Sequence, residues 1–125
     1  MNYLLDTHVL LDLLGAPQRV GRALRNILED PLNDVLVSSA TAWEIAIKAS
    51  MGRLRAPDDL EAELIREGIG SLDITLSDAL SAGALPRHHN DPFDRMLVAQ
   101  AQSRRMTLVT RGSMLAAYGV PILAA

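Results

Sequence analysis

Four acidic residues stand where a strand is expected to end or a helix to begin. Asp6 follows the apolar run 3–5, Glu44 lies inside a very apolar segment, and Asp91 and Asp94 flank the start of another helical segment. In an open α/β sheet, ligands gather outside the carboxyl ends of the strands. Two unit charges about 4 Å apart repel by roughly 4 kcal/mol at an effective dielectric near 20, so carboxylates gathered there need a cation or a proton. The pattern therefore indicates a divalent-metal site.

Asp6 and Glu44 also have purely structural interpretations. Asp6 can cap the helix that follows it, a role worth about 1 kcal/mol. Glu44 can form a capping box with Thr41 or an ion pair with Lys48. The segment around Glu44 is apolar on nearly every side, which predicts a largely buried helix whose carboxylate points into a polar crevice or reaches solvent at an edge. This prediction favours a functional role for Glu44.

Asp91 and Asp94 lie at the start of one predicted helix. Asp at the cap followed by Pro92 at the first helical position is a strong helix start, and Asp94 at the third position suits the positive helix end. A spacing of three residues nevertheless places both carboxylates near one face, so they can converge on one cation. His8 is more commonly a packing or capping residue and is left out of the metal set.

The elements that would position these acids follow from hydrophobic patterning. Short apolar or β-branched runs predict strands at 3–5, 35–37, 72–74, 107–110 and, more weakly, 121–123. Helical periodicity predicts helices at 7–14, 19–28, 41–51, 58–67, 77–84 and 92–104. Strands and helices mostly alternate, which is typical of a mainly parallel sheet covered on both faces.

Composition limits the class of protein. The 125 residues are 49% apolar, enough for one domain with one core. The absence of Cys excludes disulfides and thiolate zinc sites and fits a reducing compartment. An acid at position 6 precedes any long apolar stretch, and no apolar run approaches the ~20 residues of a membrane span. We therefore expect a soluble cytoplasmic protein.

The charge balance constrains the substrate. A formal net charge of −3 gives no global attraction for nucleic acid, so a polyanionic substrate would need a bound metal and a local basic rim. Candidates for such a rim are Arg87, His88, His89, Arg95, Arg104, Arg105 and Arg111.

Three motifs carry a family resemblance. They are the segments 3–11 (YLLDTHVLL), 38–48 (SSATAWEIAIK) and 91–101 (DPFDRMLVAQA), and they are followed by 108–111 (LVTR) and 118–123 (YGVPIL). Together they resemble PIN-domain ribonucleases, and in particular VapC-type toxins of bacterial toxin–antitoxin pairs. The resemblance runs in order across nearly the whole chain.

The resemblance implies a fold and an activity. The expected fold is a single-domain three-layer α/β/α sandwich over residues 1–125, usually dimeric. The expected activity is RNA cleavage with Mg²⁺ or Mn²⁺ held by the acids matching Asp6, Glu44 and Asp94, with Asp91 as a further candidate ligand. Asp6 and Asp94 would hold the metal that activates water, and Glu44 would orient that water or a second ion. Cleavage would leave a 5′-phosphate and a 3′-hydroxyl, with structured RNA such as transfer RNA as the target class.

Partners and substrate contacts are implied in the same way. Thr110, Arg111 and Arg95 are candidate substrate-binding residues. A cognate antitoxin is the expected protein partner. The amphipathic helices near the amino terminus should offer a groove to an apolar antitoxin segment, because helix-in-groove binding suits their pattern. The groove residues would be Val9, Leu10, Leu13 and Leu14.

Gly112 is the position where the chain departs from the family pattern. A further Asp commonly follows the Thr-Arg pair in the family, and Gly112 stands there in this chain. The four-acid set is therefore incomplete, although Asp91 could partly compensate and one Mg²⁺ site with few carboxylates would survive. Two expectations follow for a restored acid. Either it strengthens metal binding, or Gly112 has a positive φ angle and any side chain there strains the turn.

Two other classes of function compete with this interpretation. A PIN-like module that no longer cuts could act by binding an antitoxin or RNA, and Gly112 supports that alternative. A phosphoryl-transfer domain with Asp6 as nucleophile fits poorly. A haloacid-dehalogenase-like site has a second Asp where His8 stands, and a receiver domain has paired acids after its first strand.

Overall fold

A five-stranded parallel sheet lies at the centre of the fold. The computed structural model describes residues 1–125 except for the side chain of Ser113. The strands are β1 (Asn2–Leu5), β2 (Asp34–Ser38), β3 (Gly70–Leu72), β4 (Thr107–Thr110) and β5 (Ile122–Ala124). Their spatial order is β3-β2-β1-β4-β5, and every neighbouring pair is parallel. This confirms the predicted α/β class, and the mainly parallel sheet is parallel throughout.

Helices connect the strands and cover the sheet. The α-helices of the described chain are α1 (Thr7–Gly15), α2 (Arg22–Glu29), α3 (Ser39–Ser50), α4 (Leu60–Glu67), α5 (Leu76–Ala84) and α6 (Pro92–Arg104), with short 3₁₀ helices at Pro17–Arg19 and Ser113–Tyr118. Among them, none combines the length and apolar character that crossing a membrane requires.

Alternation along the strands builds two cores. Tyr3 and Leu5 of β1 pack with α1, α2 and α4, whereas Leu4 packs with α6 and the second 3₁₀ helix on the opposite face. In β4, Val109 belongs to the same core as Tyr3 and Leu5, and Leu108 belongs to the same core as Leu4. Because successive side chains of a strand point to opposite faces, one short apolar run serves both layers. The three-layer α/β/α sandwich is therefore confirmed.

Several predicted boundaries were wrong; helix α2, for example, begins at Arg22 instead of residue 19. The third strand covers Gly70–Leu72 instead of 72–74. A Cβ at Gly70 would approach Leu36 Cδ2 to 2.6 Å, so glycine permits this edge strand to lie close to β2. Helix α3 begins at Ser39 with Ser38 as its cap, so Thr41 does not form the expected capping box with Glu44.

A partly buried ion pair joins α5 to α6. Arg104 donates two hydrogen bonds to the Asp78 carboxylate, at 3.0 and 2.9 Å. This contact holds the pKa of Asp78 far below its usual range. Arg104 is therefore a structural cation on this helix pair and is removed from the predicted basic rim.

Candidate active site

Asp6 stands where the strand order changes direction. It follows β1, and its N–H donates to the Val109 carbonyl of β4 at 3.0 Å. Chain connections leave β1 and β4 toward opposite edges of the sheet, which opens a crevice at their carboxyl ends. Asp6 Oδ1 accepts the Val9 N–H at 2.8 Å, and its Oδ2 accepts the Thr110 hydroxyl. Asp6 thus has both the predicted cap role and a position at the crevice.

Asp94 reaches the same crevice from the start of α6. Asp91 Oδ1 caps this helix by accepting the N–H groups of Phe93 and Asp94, at 2.8 and 3.1 Å. The cap fixes the first turn, so Asp94 is held over the end of the sheet. Asp94 Oδ2 is 2.8 Å from His89 Nε2.

Asp6 and Asp94 line one cavity of about 340 Å³, which we call the acidic cavity. Its lining also includes the polar side chains of His8, His89, Thr110 and Arg111, together with Gly112, Met114 and Leu115. In the described part of the chain, neither Asp91 nor Glu44 lines this cavity. The structure therefore brings together two of the four predicted acids and gives Asp91 a capping role beside them.

The electrostatics of Asp94 show that the acids act on one another. Burial raises the pKa of the Asp94 carboxyl above its usual value, while the hydrogen bond with His89 opposes that increase. The charges of Asp91 and Asp6 raise the pKa further. Neighbouring negative charges that raise the pKa of a carboxyl favour the binding of a proton or a cation there.

A divalent ion fits this donor set. Mg²⁺ is commonly bound by one or two carboxylates while it keeps several waters. Asp6 and Asp94 supply two carboxylates, and the cavity of about 340 Å³ has room for waters of roughly 30 Å³ each. Across the described residues, no group of three or more His, Asp or Glu side chains is close enough to form a protein-only cage. The site suits a hydrated Mg²⁺ or Mn²⁺ held by Asp6 and Asp94.

Glu44 lies in an adjoining cavity of about 310 Å³, which we call the Glu44 cavity. The residue is buried at 3% exposure, as its apolar helix predicted. Glu44 Oε1 accepts the Thr7 hydroxyl at 2.6 Å, and Oε2 pairs with Lys48. His8 lines both cavities, so the two cavities adjoin. The predicted Lys48 ion pair is confirmed.

Trp43 is an exception to the expectation that α3 is largely buried. It is 63% exposed and makes an edge-to-face contact with Phe93, with ring centroids 5.6 Å apart. Helical patterning predicts an apolar face but cannot show which part of it a neighbouring helix covers. Trp43 is a surface aromatic residue instead of a core residue.

Arg95 was expected to contact substrate, and this expectation is wrong. Its side chain is buried, and its guanidinium donates to five backbone carbonyls, of Ala82, Gly83, Leu85, Pro86 and His89. The Tyr118 hydroxyl joins the same cluster by donating to the Pro86 carbonyl at 2.9 Å. A guanidinium turned inward onto carbonyls cannot also bind a phosphate. Arg95 therefore fastens the loop that carries His89 to α6.

Thr110 and Arg111 have different relations to the acidic cavity. Thr110 is buried, and its hydroxyl donates to Asp6 and accepts the Gly112 N–H at 3.0 Å. Arg111 is exposed and pairs with Asp12 while it donates to the carbonyls of Arg19 and Ala125. Thr110 thus orients Asp6. Arg111 is an accessible cation on the cavity wall whose charge is partly balanced by Asp12.

Gly112 has room for a side chain. Its φ of −78° and ψ of 101° lie in the extended region that any residue can adopt. A Cβ built there would be 3.4 Å from Thr110 Oγ1, an ordinary contact distance. The expectation of a positive φ at this position is therefore wrong, and a side chain at 112 would enter the acidic cavity.

The apolar groove expected on α1 is formed by only part of the predicted set. Val9 and Leu10 are fully buried in the core, so they cannot contact a partner. Leu14 lines two surface grooves of about 440 and 380 Å³, and Leu13 lines the second. Helical periodicity identified the apolar side of α1, but it could not show which of those side chains lie in the protein core and which reach the surface.

The sequence interpretation missed the role of His89. It was named only as a candidate for the basic rim, yet its imidazole contacts Asp94 and its backbone N–H donates to the Tyr118 hydroxyl at 3.0 Å. A histidine five residues before an acid, across an Asp-Pro helix start, was the available signal. His8 was left out of the metal set, and its position between the two cavities places it beside both acidic groups.

Comparison with known proteins gives a family match and several similar folds. Residues 3–121 match the family model of the PIN domain. No curated protein sequence gives a significant match. One similar solved structure is VapBC2 from Rickettsia felis bound to a promoter DNA fragment. The alignment has a TM-score of 0.70 and 15% identity, and it covers 99% of this chain and 98% of that one.

Two further structures have the same fold. DNA-bound VapBC from Salmonella typhimurium gives a TM-score of 0.70 at 20% identity, covering 99% of this chain and 98% of that one. A toxin–antitoxin complex from Klebsiella pneumoniae gives a TM-score of 0.67 at 22% identity, covering 97% and 95%. At these identities the structural likeness concerns the fold.

Proposed function

Because the chain belongs to the PIN-domain family, we propose that it is a metal-dependent endoribonuclease and the toxin of a type II toxin–antitoxin pair. The observation that carries this proposal is the pair of carboxylates, Asp6 and Asp94, facing one cavity where the strand order reverses. RNA, including structured RNA such as transfer RNA, is the proposed substrate, and the cytoplasm is the proposed location. Residues 1–125 would act as one PIN-like domain.

Each residue of the site has a proposed task. Asp6 and Asp94 hold Mg²⁺ or Mn²⁺, while the Thr110 hydroxyl and the Val9 N–H fix the orientation of the Asp6 carboxylate. His89 orients Asp94 through their 2.8 Å contact. When bound, the divalent ion supplies Lewis acidity to the phosphodiester and makes water a better nucleophile. No covalent enzyme intermediate is needed.

The remaining predicted residues are assigned to the periphery. Glu44 is the third proposed acid and would orient the attacking water or a second cation from the Glu44 cavity. Asp91 adds negative charge beside Asp94. Arg111 is the proposed contact for a substrate phosphate, because it is exposed on the wall of the acidic cavity.

Metal-dependent cleavage of total RNA by the purified protein tests the proposal. We expect cleavage with Mg²⁺ or Mn²⁺ and none with excess chelator. A second candidate function, a PIN module that binds antitoxin or RNA without cutting, is favoured by Gly112, which leaves the acidic cavity with two carboxylates. RNA binding without cleavage under any divalent ion would support that candidate.

Restoring the missing acid with Gly112→Asp should strengthen the site. The backbone accepts a side chain at this position, and the new carboxylate would enter the acidic cavity beside Thr110. We expect about tenfold tighter Mn²⁺ binding, equivalent to roughly 1.4 kcal/mol, and faster RNA cleavage. Calorimetric titration and initial cleavage rates would measure both effects.

Gly112→Asn is the matched control, because it has nearly the same shape without the charge. It should fold normally and leave Mn²⁺ affinity close to that of the wild type. Unchanged affinity and rate in well-folded Gly112→Asp would exclude position 112 from the metal site.

A cognate antitoxin is the proposed protein partner. Several of the similar structures are toxin–antitoxin complexes, and the α1 surface has a mainly apolar groove that shares Leu14 with a second groove lined by both apolar and charged side chains. We propose that an apolar segment of the antitoxin lies in the first of these grooves. Homodimer formation is also proposed, supported by the exposed apolar side chains of Trp43 on α3 and of Leu76 and Leu80 on α5.

Leu14→Glu should prevent antitoxin binding while it preserves cleavage. The new charge would lie in grooves whose lining shares no residue with the acidic cavity. Co-expression with the neighbouring open reading frame, followed by affinity purification, measures the effect. Leu32→Glu is the matched control. Leu32 is 83% exposed on another part of the surface, so this variant should still copurify with the partner. Equal recovery of the partner with both variants would contradict the groove assignment.

A further inference from the structure

Glu44 and Lys48 form an internal ion pair beside the acidic cavity. Both carboxylate oxygens of Glu44 are engaged, Oε1 by the Thr7 hydroxyl at 2.6 Å and Oε2 by the Lys48 ammonium. Glu44 is almost fully buried, whereas the Lys48 side chain is 29% exposed. Thr7 directly follows Asp6, so this pair is connected to the proposed metal ligands through one residue of α1.

We propose that Lys48 serves as a built-in cation in place of a second divalent ion, and that this chain holds one divalent ion. Lys48 neutralises Glu44, while Asp6 and Asp94 hold the single metal. This inference rests on the proposed function, because it concerns the same metal site. It assigns Glu44 a positioning role and removes it from the set of metal ligands in the wild-type protein.

Burial of Glu44 is the first argument. A carboxylate taken out of water needs a partner, because an unpaired buried charge is costly. Lys48 supplies that partner from the next turn of α3, four residues along the same helix face. A divalent ion that bound Glu44 would have to displace an ammonium already held close to the carboxylate.

Charge balance is the second argument. Asp6, Asp94 and Glu44 together carry three negative charges, which one divalent ion and one ammonium balance. A fourth acid at position 112 would call for a second divalent ion, but this chain has Gly112 there. The absence of that acid and the presence of Lys48 therefore favour the same single-metal arrangement.

Lys48→Met tests the proposal, with Arg53→Met as the matched control. Both changes remove one positive charge from the lining of the Glu44 cavity, but only Lys48 contacts Glu44. Mn²⁺ titration by calorimetry should give one ion for wild type and Arg53→Met. Lys48→Met should bind a second ion. Its affinity at that position should be roughly tenfold or more above that of the wild-type protein. The gain should vanish in Lys48→Met/Glu44→Gln.

Thermal stability gives a readout that does not depend on activity. With chelator, Lys48→Met should melt below wild type because Glu44 has lost its partner. Mn²⁺ should raise its melting temperature more than that of Arg53→Met. One unaltered Mn²⁺ site and an equal Mn²⁺-induced shift in both variants would overturn the proposal.

Glu44→Gln keeps the proposal testable if Lys48→Met does not fold. It should leave the Mn²⁺ affinity of the wild-type site unchanged, whereas roughly tenfold weaker binding would show that Glu44 is itself a ligand. Failure of the proposed function is distinguishable, because wild type would then bind no Mn²⁺ at all. Absence of a Glu44-dependent ion in Lys48→Met would overturn the internal-cation role whatever the wild type does.

Discussion

Asp94→Asn is expected to lower metal-dependent RNA cleavage on the order of 10²- to 10³-fold, the usual loss when one electrostatic group of an active site is removed. Asparagine keeps the shape of the side chain but removes the charge that would hold the ion in the acidic cavity. Initial rates on a defined RNA under matched Mg²⁺ or Mn²⁺ measure the effect. Asp6→Asn should show a loss of similar size.

The same substitution should leave the fold intact and slightly stabilise it at neutral pH. The pKa of Asp94 is raised in the folded protein, first by burial and also by the charges of Asp91 and Asp6. The folded state therefore binds the proton more tightly than the unfolded state. The resulting stability is present at low pH and is lost as pH rises through the raised pKa. An asparagine side chain does not titrate, so the advantage of the Asp94→Asn variant over wild type should grow from acid to neutral pH.

Asp91→Asn is the matched control for the charge change. It removes one carboxylate three residues away at the same helix end, and asparagine caps helices as well as aspartate does. Because Asp91 does not line the acidic cavity in the described chain, cleavage should stay within a few-fold of wild type. Wild-type cleavage by Asp94→Asn, or equal losses in both variants, would reject Asp94 as the metal ligand.

Arg95→Met is expected to cost about 3 kcal/mol of unfolding free energy, because it leaves several inward-facing carbonyls without a donor. The guanidinium now donates to carbonyls at distances that include 2.9 Å to Leu85 and 3.0 Å to Ala82. For a chain of this size the loss corresponds to a fall in melting temperature of roughly 10 °C. Chemical denaturation and calorimetry would measure it.

Arg22→Met is the control, because it also removes one arginine from a helix. Arg22 is exposed at the start of α2, so its replacement should change stability by less than about 0.5 kcal/mol. Arg95→Lys should also be destabilised, since one ammonium cannot reproduce the planar fork of five donors. If Arg95→Met were as stable as Arg22→Met, the loop-fastening role of Arg95 would be refuted.

The sheet and the positions of two acids could be predicted because they depend on local pattern. Apolar runs bounded by turn residues located β1, β2 and β4, and parallel pairing then placed Asp6 at the carboxyl edge. The Asp91-Pro92 pair located the start of α6, which placed Asp94 one turn in. These features need no knowledge of distant contacts.

The features that were missed depend on tertiary contacts. Arg95 resembles any helix cation in sequence, and only the fold shows that the loop before α6 turns its carbonyls toward it. Trp43 fits an apolar helix face, but its edge contact with Phe93 of α6 leaves it 63% exposed. Gly70 was expected in a loop, although it lies in β3, where a Cβ would press on the end of the Leu36 side chain.

The end groups of a purified cleavage product test the central claim most directly. If Asp6 and Asp94 hold the ion that activates water, wild-type protein with Mg²⁺ or Mn²⁺ should generate a 5′-phosphate and a 3′-hydroxyl, and chelator should abolish the product. A 2′,3′-cyclic phosphate with a 5′-hydroxyl, formed equally well in chelator, would mean that the RNA's own 2′-hydroxyl is the nucleophile. That result would contradict a metal-dependent hydrolytic site at these carboxylates.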